Sequence, residues 1–367
     1  NIYHIFCKLF RNGKQLPPTE PEFKTFIQTS KTKNPFQIQP YKMDDLTKEG
    51  QMDMYDLGVK IRRWYGNSLF KNKEPGNNEI KVESTSYGAC TKSGDIFTKG
   101  LLKQKYEKTT KNSQTKKSPS ANSLTFFYTN DSCKPYQEML EDVSKAFYSF
   151  RQFYTTRDTI GKHLKLNPPD DPYLRLSNHL HPITPQYMWK IHEYYQAKRF
   201  GNETIPDWLT EDMMLDLEDC NKLFMESLFK YHYAKQVSGG VYTKMVMDDF
   251  DKMIQNDKNQ TFILQALCTE ELLMNAVMSV LTSAKSNVCG TKFNIKIPKH
   301  GAALIMELHE QNKQHFVKVL HWNIGADAPK KINYDFCAGE CTLEKFKEML
   351  KQEATTDEEL NECGIPV

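Results

Sequence analysis

The stretch Ile5-Phe6-Cys7-Lys8-Leu9-Phe10-Arg11-Asn12-Gly13-Lys14-Gln15-Leu16-Pro17 decides the fold class of this chain. An apolar run passes into a polar turn that contains glycine, and a proline pair follows. This pattern predicts a buried strand that delivers Arg11, Asn12 and Gly13 to its carboxyl end, where open α/β sheets build their sites. Arg11 suits an anionic group, because its planar guanidinium binds phosphate or carboxylate through two hydrogen bonds.

Length and composition indicate a globular protein with a large core. A chain of 367 residues allows one large α/β domain with an insertion, or two domains. No apolar run approaches the roughly 18 residues that a membrane-spanning helix needs. The net charge of +3 is too small to indicate nucleic acid as the main partner. Because the chain also lacks a basic and apolar leader, we expect a mature secreted form from which a signal peptide has been removed.

The cysteines and sequons favour secretion. Nine cysteines occur, at positions 7, 90, 133, 220, 268, 289, 337, 341 and 363, without a CxxC pair, so we expect no zinc site. Cys337 and Cys341 bracket a short turn that suits a small disulfide loop, and Cys7 is a candidate buried thiol. Three glycosylation sequons begin at Asn130, Asn202 and Asn259. Sequons and a disulfide framework together are typical of secreted proteins.

A long helix follows the opening loop. The polar residues 44–50 open it, and an apolar stripe at roughly helical spacing comprises Met52, Tyr55, Leu57, Val59, Ile61, Trp64 and Tyr65. Glycine inside a helix costs about 1 kcal/mol relative to alanine. We therefore predict that Gly58 permits close packing against a neighbouring element.

The rest of the chain alternates between strand and helix patterns. Thr210 and Thr269 are predicted to precede helices, the second as an N-cap. We predict strands at 80–87 and 123–128, mostly helices over 136–235, a hairpin from 302–307 and 315–320, and a helix at 342–350. The lysine-rich residues 103–118 are interpreted as a solvated loop, and a patch for polyanions is the alternative.

Several motifs resemble the histidine acid phosphatases, a branch of the phosphoglycerate-mutase-like superfamily. Residues 46–65 follow the LTxxG…LGxxIRxxY helix of that family, and Ile205-Pro206-Asp207-Trp208, Gly239-Gly240-Val241 and Cys337…Cys341-Thr-Leu-Glu-Lys-Phe match further along. The resemblance implies an α/β fold: a sheet core with helices on both faces and an inserted mainly helical cap. It places the core at 1–130 and 236–367 and the cap at 131–235. It also implies the disulfides Cys133–Cys363 and Cys337–Cys341.

Active members of that family use an RHGxRxP strand end, whose histidine is the nucleophile, and an HD pair that supplies a general acid. Here the first motif keeps Arg11, has Asn12 at the nucleophile position and has Gln15 at the second arginine. The position of a third arginine falls at about Ala89, and the HD pair falls on Glu270-Glu271.

An amide cannot attack phosphorus, so the sequence predicts that the chain is not an enzyme. The aligned positions change from about +2 in active members to about −1 here, since one arginine and two glutamates remain. We expect no metal or cofactor, and a retained cavity that accepts a small cation. Acids in a first helical turn also complement the helix dipole, which is the structural alternative for Glu270 and Glu271.

The resemblance implies a ligand as well. Trp189 falls where the family cap has a tryptophan facing the pocket, although core packing explains it equally simply. Tyr87 and Phe126 are weaker candidates for the same wall. Carboxylates with an aromatic lid suit an aromatic amine. The chain thus resembles acid-phosphatase-like salivary proteins of blood-feeding fleas, and we expect a biogenic amine such as serotonin as ligand. An anionic lipid mediator such as a leukotriene, residual phosphohydrolase activity and surface interaction with polyanions are the alternatives.

Overall fold

A computed structural model describes a mixed sheet with helices on both faces. It describes residues 3–8, 46–71, 73–75, 79–85, 88–104, 115–117, 153–163, 185–200, 204–230, 239–255, 262–282, 301–323, 325–332, 337 and 340–352. No helix within these ranges is long and apolar enough to cross a membrane.

The strands are β1 (Tyr3–Lys8), β2 (Ile80–Ser84), β3 (Lys116–Lys117), β4 (Leu264–Thr269), β5 (Ala303–Gln311), β6 (Gln314–Trp322), β7 (Lys330–Lys331) and β8 (Cys341–Thr342). The helices are α1 (Lys48–Trp64), α2 (Gly88–Leu101), α3 (Tyr154–His163), α4 (Pro185–Phe200), α5 (Glu211–Lys230), α6 (Val241–Ile254), α7 (Glu271–Thr282) and α8 (Leu343–Gln352).

The first strand lies in the middle of the sheet. The strand order is β3-β2-β4-β1-β5-β6-β7, and β8 pairs with β6. Strand β1 runs parallel to β4, with Lys8 opposite Thr269, and antiparallel to β5, with Tyr3 opposite Glu307. Strand β2 is also parallel to β4. The parallel strands β1, β2 and β4 therefore end at one edge of the sheet, which we call the carboxyl edge.

Each face of the sheet has its own hydrophobic core. Ala266 and Ile305 pack with residues of α1 and α2, whereas the neighbouring Leu267 and Leu304 pack with residues of α6, α7 and α8. This alternation follows from the two-residue period of a strand, which sends successive side chains to opposite faces. The fold class predicted from sequence, a sheet core with helices on both faces, is confirmed.

Helix α1 buries only part of the predicted stripe, namely Leu57, Ile61 and the following Tyr65. Its N-cap is Thr47, whose hydroxyl oxygen accepts a hydrogen bond from the backbone nitrogen of Gly50 at 2.7 Å. The buried residues are Gly50, Met54, Leu57, Gly58, Ile61 and Arg62, while Met52, Val59 and Trp64 of the predicted stripe are exposed. The apolar side chains of this segment occupy more than one face of the helix, so spacing alone selects the wrong set.

The predicted close approach at Gly58 is confirmed. A Cβ atom on Gly58 would overlap the carbonyl oxygen of Phe97 and would lie 2.7 Å from the backbone nitrogen of Leu101. Gly100 makes the reciprocal approach, since a Cβ there would overlap the carbonyl oxygen of Tyr55. The two helices thus pack backbone against backbone.

Helix α1 ends at the opposite edge of the sheet from the carboxyl edge. Tyr65, directly after the helix, donates a hydrogen bond of 2.5 Å to the carboxylate of Glu307. Both side chains are buried, and Glu307 pairs with Tyr3, the first residue of β1. Because β1 rises about 3.3 Å per residue, its six residues separate the two edges by about 20 Å.

Of the remaining secondary-structure predictions, some are confirmed and others are wrong. The hairpin is confirmed as β5 and β6, and the helix start after Thr210 is confirmed as α5. The helix predicted at 342–350 is observed as α8, and the second strand ends at Ser84 rather than at 87. Helix α7 begins at Glu271, so Thr269 ends a strand and is not an N-cap. The strand predicted at 123–128 lies outside the described residues.

His321 of β6 gives the fold a dependence on pH. Burial lowers the pKa of this imidazole from its ordinary value of 6.5, because the interior disfavours the charged ring. The unfolded chain therefore takes up this proton more readily, so the contribution to stability is complete above pH 6.5 and declines as pH falls towards the lowered pKa.

We expect His321→Gln to reduce the loss of unfolding free energy between pH 7.5 and pH 5.5. Urea denaturation of both proteins at the two pH values measures this difference. His315→Gln, at a half-buried histidine of the same strand, is the matched control and should leave the decline unchanged. An equal decline in the wild-type and His321→Gln proteins would contradict the assignment.

Candidate functional site

The carboxyl edge of the sheet brings polar side chains together. Ser84 of β2 pairs with Cys268 of β4, and the backbone nitrogen of Thr85 donates to the carbonyl oxygen of Cys268 at 3.1 Å. Thr85 and Thr269 therefore leave the sheet side by side, and both are fully buried.

Glu270 is the centre of this edge. The hydroxyl of Thr85 donates to Glu270 Oε1 at 2.7 Å, and the hydroxyl of Thr269 donates to Oε2 at 3.1 Å. The thiol of Cys90, in the first turn of α2, lies 3.9 Å from Oε1. Donors from three elements thus hold the carboxylate in one place, and the Glu270 side chain remains only partly buried.

Helix α7 continues the site with a buried polar face. Glu271, Asn275 and Ser279 recur every four residues, which places them on one face of the helix, and all three are buried. Ser279 donates to the carbonyl oxygen of Ala276 at 2.7 Å. Sequence reasoning selected Glu271 but missed Asn275, although the four-residue repeat of polar residues in an otherwise apolar helix was visible.

Asn275 is the polar residue that the fold explains least. It is 0% exposed, and neither its amide nitrogen nor its amide oxygen has a hydrogen-bond partner in the described part of the chain. Leaving a buried polar group without a partner costs about 1–3 kcal/mol. Such residues are retained where function requires them more often than in an ordinary core.

We expect Asn275→Leu to raise the free energy of unfolding by about 1–3 kcal/mol, because the substitution removes the unpartnered amide at similar volume. Chemical denaturation measures the change. Asn221→Leu is the matched comparison, since Asn221 is equally buried but its amide nitrogen lies 3.4 Å from Nδ1 of His192. That variant should be destabilised. Destabilisation of Asn275→Leu would show that the amide has a structural partner.

The other predicted site residues divide into two groups. Arg11, Asn12, Gln15, Tyr87 and Phe126 lie outside the described residues. Trp189 is described in α4, where its ring lies 6.2 Å from that of Phe224 in α5. Helix α5 also contacts α7. The structure thus gives Trp189 a packing role between two helices and connects it to the α7 polar face only through α5.

Ala89, the position of the third family arginine, is buried in the first turn of α2. The Cys337–Cys341 disulfide is confirmed, with an S–S distance of 2.07 Å. The Cys133–Cys363 pair and the sequons at Asn130, Asn202 and Asn259 lie outside the described residues. Cys90, Cys220 and Cys268 are buried thiols. Among the described residues, no group of three or more His, Cys, Asp or Glu is arranged to hold a metal ion.

A family model ties this edge to a known class of proteins. The model for the histidine phosphatase superfamily (branch 2) matches residues 16–321. This chain belongs to the histidine phosphatase superfamily, branch 2. The match begins just after Arg11-Asn12-Gly13, so it covers the fold but not the strand-end motif.

Relatives of this histidine phosphatase superfamily member are acid phosphatases and acid-phosphatase-like proteins. Prostatic acid phosphatase of Rattus norvegicus is 26% identical over 326 residues, which cover 85% of this chain and 78% of the relative. Acid phosphatase-like protein XcAP-2 of Xenopsylla cheopis is 22% identical over 346 residues, covering 88% and 85%. Among solved structures, Hafnia alvei phytase in complex with myo-inositol hexakis sulphate aligns with a TM-score of 0.62 at 13% identity, covering 99% of this chain and 97% of the phytase.

These relatives overturn one prediction. The prediction that the chain is not an enzyme is wrong, because its family, which includes prostatic acid phosphatases, points to an enzymatic function. The prediction depended on single side chains at counted positions, and residues 11–15 lie outside both the family match and the described structure. A substituted nucleophile also bears on one covalent mechanism only, while the carboxyl edge and its polar side chains are in place.

Proposed function

We propose that this histidine phosphatase superfamily member binds a small ligand with a positively charged amine at its carboxyl edge, and that it does so as a secreted protein. One observation carries the proposal. The Glu270 carboxylate is held by the hydroxyls of Thr85 and Thr269 where three parallel strands end. A carboxylate that hydrogen-bond donors already hold in one place loses little freedom when it binds a cation, which favours affinity.

Biogenic amines such as serotonin are the ligand class that we propose first. Their ammonium group forms a charge-assisted hydrogen bond with a carboxylate, and their ring suits a pocket with aromatic walls. A small host mediator is the ligand that the resemblance to acid-phosphatase-like salivary proteins of blood-feeding fleas implies, and acid phosphatase-like proteins of Xenopsylla cheopis are among the relatives of this chain. Arg11 favours an anionic lipid mediator such as a leukotriene, which is the alternative within this proposal.

The cap and the secreted state are parts of the same proposal. We propose that residues 131–235 form a cap beside the carboxyl edge, supported by the three helices described in that range and by the contact between α5 and α7. Secretion is supported by the Cys337–Cys341 disulfide, because such bonds persist mainly in oxidising compartments.

Phosphate ester hydrolysis is the second candidate function, and family membership favours it. At the carboxyl edge, Glu270 would accept a proton from a water that attacks phosphorus while Arg11 contacted the phosphate. The bond between phosphorus and the ester oxygen would break, and the leaving alcohol would take up the proton from Glu270 or from solvent. In this mechanism the carboxylate acts as a general base, so the reaction needs no side-chain nucleophile.

Two assays on one preparation test the two candidates. Calorimetry measures binding of serotonin, histamine, noradrenaline and a cysteinyl leukotriene, and release of phosphate from p-nitrophenyl phosphate measures hydrolysis. Heat from an amine supports the first candidate, and silence across all four ligands would remove it. Turnover that disappears in both Arg11→Ala and Glu270→Gln supports the second candidate, and turnover that survives in Glu270→Gln would remove the proposed base.

A further inference from the structure

A basic pocket lies at the end of α1, away from the carboxyl edge. It has a volume of about 410 Å³, and its described lining residues are Val59, Arg62, Arg63, Gly66, Asn67 and Lys103. Three of these carry a positive charge and none carries a negative one. We call this cavity the Arg62 pocket and infer that it binds a small oxyanion of the phosphate or sulfate type with two or more negative charges.

Arg62 is the fixed member of the pocket. It is only 7% exposed, one guanidinium nitrogen donates to the carbonyl oxygen of Lys73 at 2.5 Å, and its guanidinium lies 4.6 Å from the centre of the Phe70 ring. The other terminal nitrogen, Nη1, has no hydrogen-bond partner in the described part of the chain. A nearly buried guanidinium leaves a fixed positive charge beside the cavity, and an oxyanion bound there would offset that charge.

Arg63 and Lys103 supply the second and third charges from two different elements. Arg63 belongs to the last turn of α1, and Lys103 follows α2 with a backbone φ of 54°. Both side chains are exposed, and within the described ranges no carboxylate forms an ion pair with either of them or with Arg62. Three cations that line one cavity, with no acidic residue among its described lining, attract an anion of higher charge.

Helix chemistry alone does not explain this arrangement. Basic residues in a last turn complement the helix dipole, which accounts for Arg62 and Arg63 individually. The helix dipole does not explain why both arginines line one cavity together with Lys103. It also does not explain why Arg62 is buried while its Nη1 nitrogen has no hydrogen-bond partner in the described residues. The Arg62 pocket is also separate from Glu270, because α1 ends at the edge where β1 begins, about 20 Å from the carboxyl edge.

The test is a calorimetric titration of the full chain with inorganic pyrophosphate in magnesium-free buffer at an ionic strength of about 0.1 M. The double variant Arg63→Gln/Lys103→Gln removes two exposed charges of the pocket without touching the core. We expect it to weaken pyrophosphate binding by about tenfold or more, as for lost charged hydrogen bonds. The matched control, Lys244→Gln/Lys351→Gln, removes two exposed charges from α6 and α8, which cover the other face of the sheet. It should leave the affinity within about twofold, since charges farther than about 10 Å are screened.

The outcomes separate this site from general charge and from the carboxyl edge. Equal weakening by both double variants, or no weakening by the pocket variant, would overturn the inference. Tighter pyrophosphate binding by Glu270→Gln, with no change in the pocket variant, would assign the anion to the carboxyl edge and would also overturn the inference, because the substitution removes a repelling charge there. Heat on adding a heparin oligosaccharide, with none on adding pyrophosphate, would mean that the protein binds a polymeric anion. That result would overturn the inference of a small oxyanion.

Discussion

Gly58→Ala is expected to lower the free energy of unfolding by about 3 kcal/mol or more, at the upper end of the range for overpacked cores. The new methyl group would overlap the carbonyl oxygen of Phe97, which belongs to the backbone of α2 and cannot rotate away. The helices must therefore separate, and their separation disturbs the core between them and the sheet, which includes Leu57 and Ile96.

The sign of this effect makes it diagnostic. In an exposed helix interior, replacing glycine with alanine stabilises a protein by about 1 kcal/mol. Urea denaturation of Gly58→Ala and of Val59→Ala, its exposed neighbour, separates the two cases. The neighbouring variant should change stability by less than about 0.5 kcal/mol. A Gly58→Ala protein as stable as the wild type would show that α1 and α2 do not pack backbone against backbone.

Glu270→Gln is expected to weaken amine binding by about 1.5–3 kcal/mol, or about 10- to 150-fold in Kd, because it removes the charge from a hydrogen bond at the carboxyl edge. The amide keeps the size of the side chain, so the hydroxyl of Thr85 retains an acceptor. Calorimetry with serotonin gives the affinity directly.

The amine affinities of two further variants show whether the loss in Glu270→Gln is specific to this carboxylate. Glu344→Gln is the matched control, since Glu344 is an exposed acid in the first turn of α8 and lies at the other edge of the sheet. It should not change the affinity. Thr85→Val leaves the carboxylate charged but removes one of the donors that position it, so a smaller loss of affinity is expected. Equal affinities for the wild-type and Glu270→Gln proteins would mean that Glu270 serves only the start of α7.

Sequence patterns predicted the parts of this fold that depend on short-range order. The hairpin of β5 and β6 alternates along its length, and the cost of a mid-helix glycine indicated a close approach at Gly58. The partner of that approach, Gly100, was not predictable, because it belongs to a helix whose position depends on the tertiary fold. Met52 and Val59 were misassigned to the core, because apolar residues on a helix define a buried face only when they are confined to one stripe.

The residues of the candidate site were likewise only partly predictable from the sequence. Glu270 and Glu271 were selected because a family motif places functional groups there. Thr85 was missed although it donates to Glu270, because the two residues are 185 positions apart and meet only when β2 pairs with β4. Asn275 was missed because a lone amide inside an apolar helix resembles a solvent-exposed position until its burial is known.

The central place of β1 has a consequence for how the chain folds during synthesis. Its two neighbours in the sheet begin at Leu264 and Ala303, so about 300 residues must be synthesised after the start of β1 before this strand has both partners. Until then the strand has unpaired edges, which are prone to association with other chains. Closing so long a loop costs entropy before any pairing is gained, so the sheet should form late and slowly. Nascent chains arrested before residue 264 should therefore show no protected amides in residues 3–8 by hydrogen exchange.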